Sequence, residues 1–269
     1  MKKFLRFLKR FLNIFWRLFV SQYSLMLEYR AEIVLWAMSG ILPLLMLGLW
    51  IESDSLTSQL IGKDTIIRYF ISVFIVRQFT AVWVMISFEE DHLEGRLSPY
   101  LLQPVFPFWR YFFSHLAEQF TRAPIVLIML LFIFIFIKDS FWLPDIQNII
   151  IGIISIFIGF ILRFLIHWNF AIFCFWSDKA SSIERLLLIP YIFLSGLVAP
   201  LDIYPDLIRR IAFLTPFPYI ISFPALILSN QTILLLNYFA VVAFWLVLLL
   251  ITSILFWRAG VSKYSAMGA

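Results

Sequence analysis

Apolar residues fill this chain in long runs that charged residues rarely interrupt. The runs lie at about 33–51, 66–88, 124–137, 149–176, 186–200 and 233–257, and an amphipathic stretch after Pro107 extends the third run backward. About 20 consecutive apolar residues are enough for a helix to cross the hydrocarbon core of a bilayer. The alternation typical of β-barrel strands is absent, and a helix satisfies its own backbone hydrogen bonds in lipid. The pattern therefore predicts an all-α integral membrane protein with six transmembrane helices.

The first 30 residues have a different, amphipathic pattern. Polar residues recur at steps of three and four, which places them on one helical face: Lys3, Arg6, Lys9, Arg10, Asn13 and Arg17. Phenylalanine and leucine cover the opposite face, as in a helix that lies in the headgroup plane with its basic side toward anionic lipid. We therefore predict an interfacial helix over residues 1–30. A cleaved signal peptide is the alternative, but charges lie within the apolar part and no small-residue cleavage site follows.

Composition supports a membrane protein and argues against a nucleic-acid-binding protein and against a disulfide-stabilised one. Hydrophobic residues make up 62% of the chain and charged residues 14%, whereas soluble domains are about half apolar and a quarter charged. The net charge of +5 comes largely from the N-terminal helix, so we expect membrane lipids as a partner and no nucleic acid. The single cysteine, Cys174, excludes an internal disulfide.

Basic residues near the ends of the predicted spans favour one side of the membrane. With six spans both termini share a side, and most of the lysines and arginines fall there. The opposite side has only Lys63, Arg68, Lys138, Arg209 and Arg210. Basic residues mark the cytoplasmic side. We therefore expect a multi-pass protein of the cell (inner) membrane with both termini in the cytoplasm.

Prolines interrupt the apolar segment between the fifth and sixth predicted spans. Over residues 200–227 they include Pro200, Pro205, Pro216 and Pro218. A proline inside a helix removes a hydrogen bond and clashes with the preceding turn, so this segment cannot cross cleanly as one helix. It predicts short helices or a re-entrant helical hairpin on the extracytoplasmic side.

The stretch FEEDHLEGRLSPYLLQPVFPFWRYFF, residues 88–113, gathers charges between the second and third predicted spans. It begins with Glu89, Glu90, Asp91, His92, Leu93, Glu94, Gly95 and Arg96. We predict that Gly95 ends one short helix in the left-handed conformation and that Ser98 and Pro99 begin another. A further helix begins at Pro107, with Arg110, Ser114, Glu118 and Arg122 on one face. Together with this helix, residues 89–106 are predicted to form a cytoplasmic platform along the membrane, whose charges are available to a soluble partner.

The same charged residues allow two other interpretations. Carboxylates and a histidine suit acid–base or metal chemistry, but a spaced pair such as H-E-x-x-H is absent and consecutive helical residues point in different directions. The other alternative is a solvated loop that only shields the membrane surface. We favour a docking surface, with no catalytic residue and no metal site.

Charged residues also occur inside the predicted spans. Arg77 lies near the middle of the second, and Arg163 near the middle of the fourth with His167 one turn later. A charge at the bilayer centre costs about 3 kcal/mol on insertion scales, so such residues normally face a cavity or a partner. They predict either a polar lining of a substrate path, in contact with an anionic headgroup, or a structural pair. No acidic residue lies mid-span by this assignment, so we expect water or a partner chain opposite Arg77.

Three segments together resemble the permease subunits of ABC type-2 exporters. In EGRLSPYLLQPVFP, the residues Gly95, Leu97, Leu101, Leu102 and Pro104 match the family's G-x-L-x-x-x-L-L-x-P run. In LSGLVAPLDIYPDLIRRIAFLTPFPY, a S-G…P…P…P-F motif is matched by Ser195, Gly196, Pro200, Pro205, Pro216 and Phe217. The ending WRAGVSKYSAMGA is similar to the R-x-G-x-x-x-Y-x-x-x-G tail of a subgroup with paired permeases and a separate ATPase.

This resemblance implies a function and a set of partners. The whole chain, 1–269, would be a single transmembrane domain that forms a substrate path with a second permease, identical or paralogous, and couples to an ABC ATPase dimer. Glu89 to Arg96 would form the coupling helix, and the N-terminal helix would be the interfacial elbow. The path would lie near Phe74, Arg77, Gln78, Ala81, Arg163, Tyr191, Phe193, Leu194 and Leu197.

The expected chemistry of ATP lies outside this chain. No G-x-x-x-x-G-K-[ST] sequence occurs in it, so the sequence contains no P-loop. We therefore expect that the chain is not an enzyme and carries no cofactor, while ATP and Mg bind to the partner ATPase. The alternatives are an integral membrane enzyme that acts on lipids and a non-transporting membrane scaffold.

Overall fold

The computed structural model describes residues 2–52, 62–137, 140–177, 179–231 and 234–264, with side chains except those of 2–11 and 30. The α-helices are α1 Lys2–Glu28, α2 Arg30–Ser39, α3 Leu42–Glu52, α4 Lys63–Thr80, α5 Val84–Leu93, α6 Leu97–Leu101, α7 Pro107–Phe136, α8 Ile146–Ala171, α9 Ser181–Leu194, α10 Asp206–Leu214, α11 Phe217–Ile220, α12 Ser222–Leu228 and α13 Leu235–Val261. Short 3₁₀ helices cover Ile172–Phe175 and Leu201–Ile203. Within these ranges every element of regular secondary structure is a helix, as predicted.

Five helical segments of the described chain are long and apolar enough to cross a membrane. They are Ala31–Glu52, Lys63–Leu93, Pro107–Phe136, Ile146–Phe175 and Leu235–Val261. The first combines α2 with α3 and the second combines α4 with α5, each with a short break between the two helices. These segments confirm the all-α membrane fold and correspond to the first four and the sixth of the predicted spans.

The helix of the fifth predicted span, 186–200, lies earlier in the chain than expected and is too short to cross the hydrocarbon core. Its helix α9 contains 14 residues with Pro190 inside, which gives a length of about 21 Å against a hydrocarbon core of about 30 Å. The helix stops because Gly196 adopts the left-handed conformation with φ +85°. The chain nevertheless continues toward the far end of the bundle. There the Val198 carbonyl oxygen accepts a hydrogen bond of 3.1 Å from Trp50 Nε1 at the end of α3.

The proline-rich segment forms the short, broken helices that its sequence predicts. Helix α10 and the α11–α12 segment are bent by 71° relative to one another. Together they are long and apolar enough to form either one broken span or a re-entrant loop. Pro205 and Pro216 occupy the N-cap positions of α10 and α11, where a proline removes no helical hydrogen bond. The hairpin packs inside the bundle, as the complete burial of Ile220, Ile221 and Ala225 shows.

Two apolar clusters hold the helices together at opposite ends of the bundle. Near the hairpin, α4, α8, α12 and α13 pack through side chains such as Phe70, Leu162 and Tyr238. At the other end lies the aromatic cluster, which consists of Phe88, Phe108, Trp168, Phe175 and Trp257. Its ring centroids lie 5.3–5.6 Å apart in neighbouring pairs around Phe88 and Trp168, a separation at which aromatic rings attract each other. This cluster fixes the end of α5, which carries the charged stretch.

Gly196 lies where the loop after α9 meets two other helices. Its carbonyl oxygen accepts a hydrogen bond of 2.7 Å from the Tyr69 hydroxyl of α4. A Cβ atom at this position would lie 2.5 Å from that hydroxyl oxygen and 2.9 Å from Ser222 Cβ of α12. Both the backbone conformation and the surrounding space therefore require glycine.

We predict that Gly196→Ala lowers the free energy of unfolding by about 2–3 kcal/mol, because it adds backbone strain and a steric clash. The measurement is unfolding of the purified protein in mixed detergent micelles. Gly48→Ala is the matched control, since a Cβ atom there meets nothing within 4 Å and alanine is the better helix former. Equal losses of stability in the two variants would contradict this explanation.

Candidate functional site

The charged stretch begins inside the second membrane-crossing segment. The predicted short helix before Gly95 is the end of α5: Glu89 to Leu93 form the last turn and a half of this helix, which begins earlier than the charged residues, at Val84. No proline or glycine interrupts that helix before Gly95, so its hydrogen bonds continue. Gly95 then has φ +73° and confirms the predicted left-handed turn. Helix α6 begins at Leu97, two residues earlier than Pro99 predicts.

The structure divides the eight predicted coupling residues by exposure. Glu90, Leu93, Glu94 and Arg96 are exposed, Glu89 and Gly95 are half-buried, and Asp91 and His92 are buried. The first set is the most accessible to a partner protein. The other residues hold the stretch on the bundle.

Asp91 is the centre of the polar contacts that shape this turn. One carboxylate oxygen accepts a hydrogen bond of 2.7 Å from the Tyr111 hydroxyl of α7, and the other accepts one of 2.7 Å from Arg96 Nε. Arg96 also forms an ion pair with Glu94. The hydrogen bond to Asp91 raises the pKa of Arg96 above its ordinary value, since it favours the charged guanidinium. These contacts fold the residues after Gly95 back onto the end of α5.

Glu89 joins α5 to α9. Its two carboxylate oxygens accept hydrogen bonds from the backbone N–H of Ser181, at 2.6 Å, and from the Ser181 hydroxyl, at 3.0 Å. Ser181 is the first residue of α9, where free N–H groups and the helix dipole attract a carboxylate. The second and fifth predicted spans are therefore connected through one side chain of the charged stretch.

The C-terminal segment lies against the same stretch. The Tyr264 and Ser98 hydroxyls share a hydrogen bond of 2.8 Å, and the Tyr264 ring lies 5.5 Å from that of His92. Gly260 allows this approach, since a Cβ atom there would lie 2.3 Å from the Phe175 ring. Two positions of the tail motif thus have a packing role, while its last residues, 265–269, lie outside the described chain.

The N-terminal helix α1 packs along α7 near the charged stretch. Phe15 contacts Trp109 and Phe113 with ring centroids 4.8 and 5.3 Å apart, and Phe19 contacts Phe120 at 5.5 Å. The helix that the amphipathic pattern predicts is present over Lys2–Glu28. The side chains of its basic residues up to Arg10 lie outside the described part.

The structure brings five of the nine predicted path residues together. Arg77, Gln78, Ala81, Arg163 and Tyr191 line two neighbouring cavities of about 80 and 20 Å³. Both cavities are lined by Arg77, Arg163 and Trp83. Phe74 and Leu197 are fully buried, whereas Phe193 is exposed and Leu194 half-exposed. A polar interior therefore exists where α4, α8 and α9 meet.

The larger cavity, the arginine chamber, has a lining that includes Arg77, Trp83, Arg163, His167, Glu184 and Tyr191. Arg163 is held rigidly: its Nη1 donates a hydrogen bond of 2.7 Å to the Tyr191 hydroxyl, and its guanidinium carbon lies 4.2 Å from the centre of the Tyr191 ring. Side chains at Arg163 and His167 are only 8% and 9% exposed.

Sequence reasoning missed Glu184 because this residue precedes the predicted fifth span. On helix α9 it shares a face with Leu187, Leu188 and Tyr191, which line the same chamber. Leu187, Leu188 and Tyr191 follow Glu184 by three, four and seven residues, which places all four on one helical face. This spacing was the signal that could have identified Glu184.

Glu118 and Arg122 correct a second expectation. They were placed on an exposed face of the platform, yet they are 4% and 2% exposed and form an ion pair inside α7. Arg122 Nη1 also donates a hydrogen bond of 2.9 Å to the Gln78 carbonyl oxygen of α4. Helix α7 continues through Pro124, so an acidic residue lies within a membrane-crossing segment where none was expected. The spacing of four residues between Glu118 and Arg122 was the signal for a pair.

Comparison with known families identifies the chain. Residues 61–268 match the family described as ABC-2 family transporter protein. This match covers most of the chain, from the beginning of α4 to the C-terminal segment, and the chain belongs to that family. A comparison with curated proteins finds no match.

The family and the helices define the class of the protein. It is a multi-pass membrane protein and a membrane permease of an ABC transporter. Members of this family are transport components rather than P-loop ATPases, and they work with an ATPase component.

We predict that Glu118→Ala lowers the free energy of unfolding by about 3–5 kcal/mol, because it leaves the buried Arg122 charge without its partner. Unfolding in mixed micelles measures the change. Replacing both residues by methionine is expected to restore most of the loss, since neither position then carries a buried charge.

Asp206→Ala provides the control for this prediction. Its carboxylate lies 4.0 Å from Arg209 on an exposed surface, where the Asp206 side chain is 83% exposed, so we expect a change below about 1 kcal/mol. A Glu118→Ala variant as stable as Asp206→Ala would show that the buried pair contributes nothing.

Proposed function

We propose that this chain is the membrane-spanning subunit of an ATP-driven ABC exporter, and that it forms the substrate path together with a second permease, identical or paralogous. A separate ABC ATPase dimer would bind ATP and Mg and drive the cycle. The observation that carries the proposal is the end of α5. It presents exposed charges to a partner, is continuous with a membrane-crossing helix and is bonded to two further helices.

The exposed residues of the stretch suit a protein contact. Glu90, Leu93, Glu94 and Arg96 combine both signs of charge with one apolar side chain on a short, firmly held turn. A rigid element transmits displacement because packed interfaces move between discrete arrangements instead of deforming continuously. The exposed set is therefore the proposed ATPase contact, and Asp91 and His92 support it from within.

Displacement of the stretch would reach several helices at once. Glu89 connects it to α9 through Ser181, and Asp91 connects it to α7 through Tyr111. The aromatic cluster connects α5 to α8 and α13. Motion at the ATPase contact would therefore be carried by a continuous set of packed and hydrogen-bonded groups.

The break between α4 and α5 lies next to the proposed path. Residues 81–83 are non-helical, and the Trp83 N–H donates a hydrogen bond of 2.9 Å to His115 Nε2 of α7. Ala81 and Trp83 line the cavities that contain Arg77 and Arg163. We infer that α5 turns about this break and thereby changes the shape of the arginine chamber.

The proposed orientation follows from the contacts of the termini and from the basic residues. Helix α1, the charged stretch and Tyr264 gather at one end of the bundle. We infer that this end faces the cytoplasm in the inner membrane, since basic residues favour that side. The hairpin with Pro200, Pro205, Pro216 and Pro218 would then lie on the extracytoplasmic side. Lipids and the second permease would cover exposed apolar residues such as Leu186, Ile189 and Phe193.

Charge reversal tests the ATPase contact. We expect the double variant Glu90→Lys and Glu94→Lys to reduce transport-linked stimulation of the partner ATPase by about tenfold or more, because like charges across a protein interface cost several kcal/mol. Stimulation is measured in vesicles that contain the permease together with its copurified ATPase.

Asp206→Lys is the matched control for the charge reversal. It makes the same change on the exposed surface of α10, at the opposite end of the bundle, and should leave stimulation unchanged. If the double variant retains full stimulation, or if no ATPase copurifies with the wild-type chain, the coupling proposal is wrong.

The Glu89–Ser181 contact tests transmission separately from docking. We expect Glu89→Ala to leave ATPase binding intact, since Glu89 contacts α9, but to reduce stimulated turnover severalfold. Ser181→Ala keeps the backbone N–H donor and should have a smaller effect. Binding is measured by copurification and turnover by phosphate release. Loss of binding in the Glu89→Ala variant would place this residue in the docking surface instead.

A further inference from the structure

The arginine chamber contains more positive than negative charge. Its lining includes Arg77 and Arg163 but only one carboxylate, that of Glu184. Among the described residues no ion pair within 4 Å joins Glu184 to either arginine. Arg122, which borders the neighbouring cavity, is already paired with Glu118. Buried charges are costly unless they are paired, so the chamber as it stands lacks a negative group.

Several hydrogen-bond donors of the chamber have no partner. The Nε atoms of Arg77 and Arg163 and the Nε1 atom of Trp83 are buried, and none of them is hydrogen-bonded. Buried donors in native proteins are almost always satisfied. Glu184 Oε2 in the same chamber is also unbonded and does not reach these three donors, so the set has capacity for a further acceptor. The three residues come from α4, the break after it and α8, so the donors surround the space from different sides.

The geometry selects the kind of acceptor. Tyr191 fixes one edge of the Arg163 guanidinium, so the remaining N–H groups have a defined orientation. A planar guanidinium matches the oxygen pairs of phosphate and carboxylate groups. The cavity volume of about 80 Å³ has room for such a group.

The walls of the chamber indicate what is attached to the anion. Ile166, Leu187, Leu188, Phe217 and Ile220 surround the polar side chains, and Leu188 is 48% exposed at the surface of α9. An apolar chain bonded to the anionic group could leave the chamber beside Leu188 and lie along this surface. The chamber therefore fits an amphiphile better than a hydrophilic anion.

We propose that the arginine chamber binds the phosphate or carboxylate group of an anionic amphiphile, with Arg77, Arg163 and Trp83 as donors. The inference rests on the proposed function, because it assigns an anionic substrate class to the path of the exporter. Glu184 lies in the same chamber and opposes the binding of an anion through like-charge repulsion.

Binding to the purified full-length permease tests the proposal without ATP or an ATPase. The protein is placed in nanodiscs of zwitterionic phosphatidylcholine and titrated with lysophosphatidic acid, lysophosphatidylcholine or inorganic phosphate. We expect saturable binding of lysophosphatidic acid, at least about tenfold tighter than that of the other two probes. Equal affinity for both lysolipids would overturn the proposal. Equal affinity for inorganic phosphate would overturn the requirement for an amphiphile.

Two variants should change the affinity in opposite directions. Arg163→Gln removes a donor and a charge and is expected to weaken binding of lysophosphatidic acid about tenfold or more. Glu184→Gln removes the opposing carboxylate and is expected to tighten binding about tenfold. Misfolding cannot cause tighter binding, so the second variant decides the matter even if the first is unstable. Arg209→Gln, on the exposed surface of α10, should leave the affinity unchanged, and an unaltered affinity in Glu184→Gln would overturn the proposal.

The result separates this inference from the proposed function. Uncoupling by charge reversal at Glu90 and Glu94, without lysophosphatidic acid binding, would support the exporter and overturn the anion site. Tighter binding in Glu184→Gln, with ATPase stimulation unaffected by the charge reversal, would support the site and overturn the coupling assignment.

Discussion

The need to satisfy polar groups inside an apolar bundle determines how these helices are joined. An unpaired polar group in lipid or in a protein interior costs several kcal/mol, and many of the buried polar side chains connect a helix to a neighbour. Gln78 Nε2 donates to the Ala37 carbonyl oxygen at 2.8 Å, which links α4 to α2. Asn169 Nδ2 donates to the Leu249 carbonyl oxygen at 3.0 Å, which links α8 to α13. Tyr69 in the same way holds the loop after α9.

This constraint also explains why the breaks in the helices are tolerated. A break frees backbone N–H and C=O groups, and in a membrane protein these must be buried against donors and acceptors or line a cavity. At the break after α4, both conditions are met. His115 accepts a hydrogen bond from the freed N–H of Trp83, and the adjacent residues line the cavities that contain Arg77 and Arg163. The place where the second span bends is therefore also the place where the bundle is polar, which connects the mechanical and the chemical parts of the proposed function.

The sequence predicted the elements whose signals are local and missed those that depend on packing. Five apolar runs became membrane-crossing helices, and Gly95 was correctly placed in the left-handed region because a glycine after a helix signals that turn. The end of the fifth span was placed at residue 200, although α9 ends at Leu194, since the turn at Gly196 depends on Tyr69 and Ser222 from distant helices. Glu118 was misplaced because the stretch between Pro107 and Pro124 was taken to lie along the membrane surface, whereas one helix, α7, continues through Pro124. Which of Glu89 and Glu90 faces inward could not be read from adjacent residues, because burial of Glu89 depends on the position of Ser181.

Gly95 and Gly196 both adopt the left-handed backbone conformation, but the space around them differs. A Cβ atom at Gly95 would meet nothing within 4 Å, whereas one at Gly196 would collide with two other helices. Asparagine, which tolerates the left-handed region, would thus fit at the first position and not at the second. Among related chains, we expect asparagine to replace glycine at some positions equivalent to Gly95. At the position equivalent to Gly196 we expect only glycine. The two glycines would diverge in evolution although their backbone angles are nearly the same.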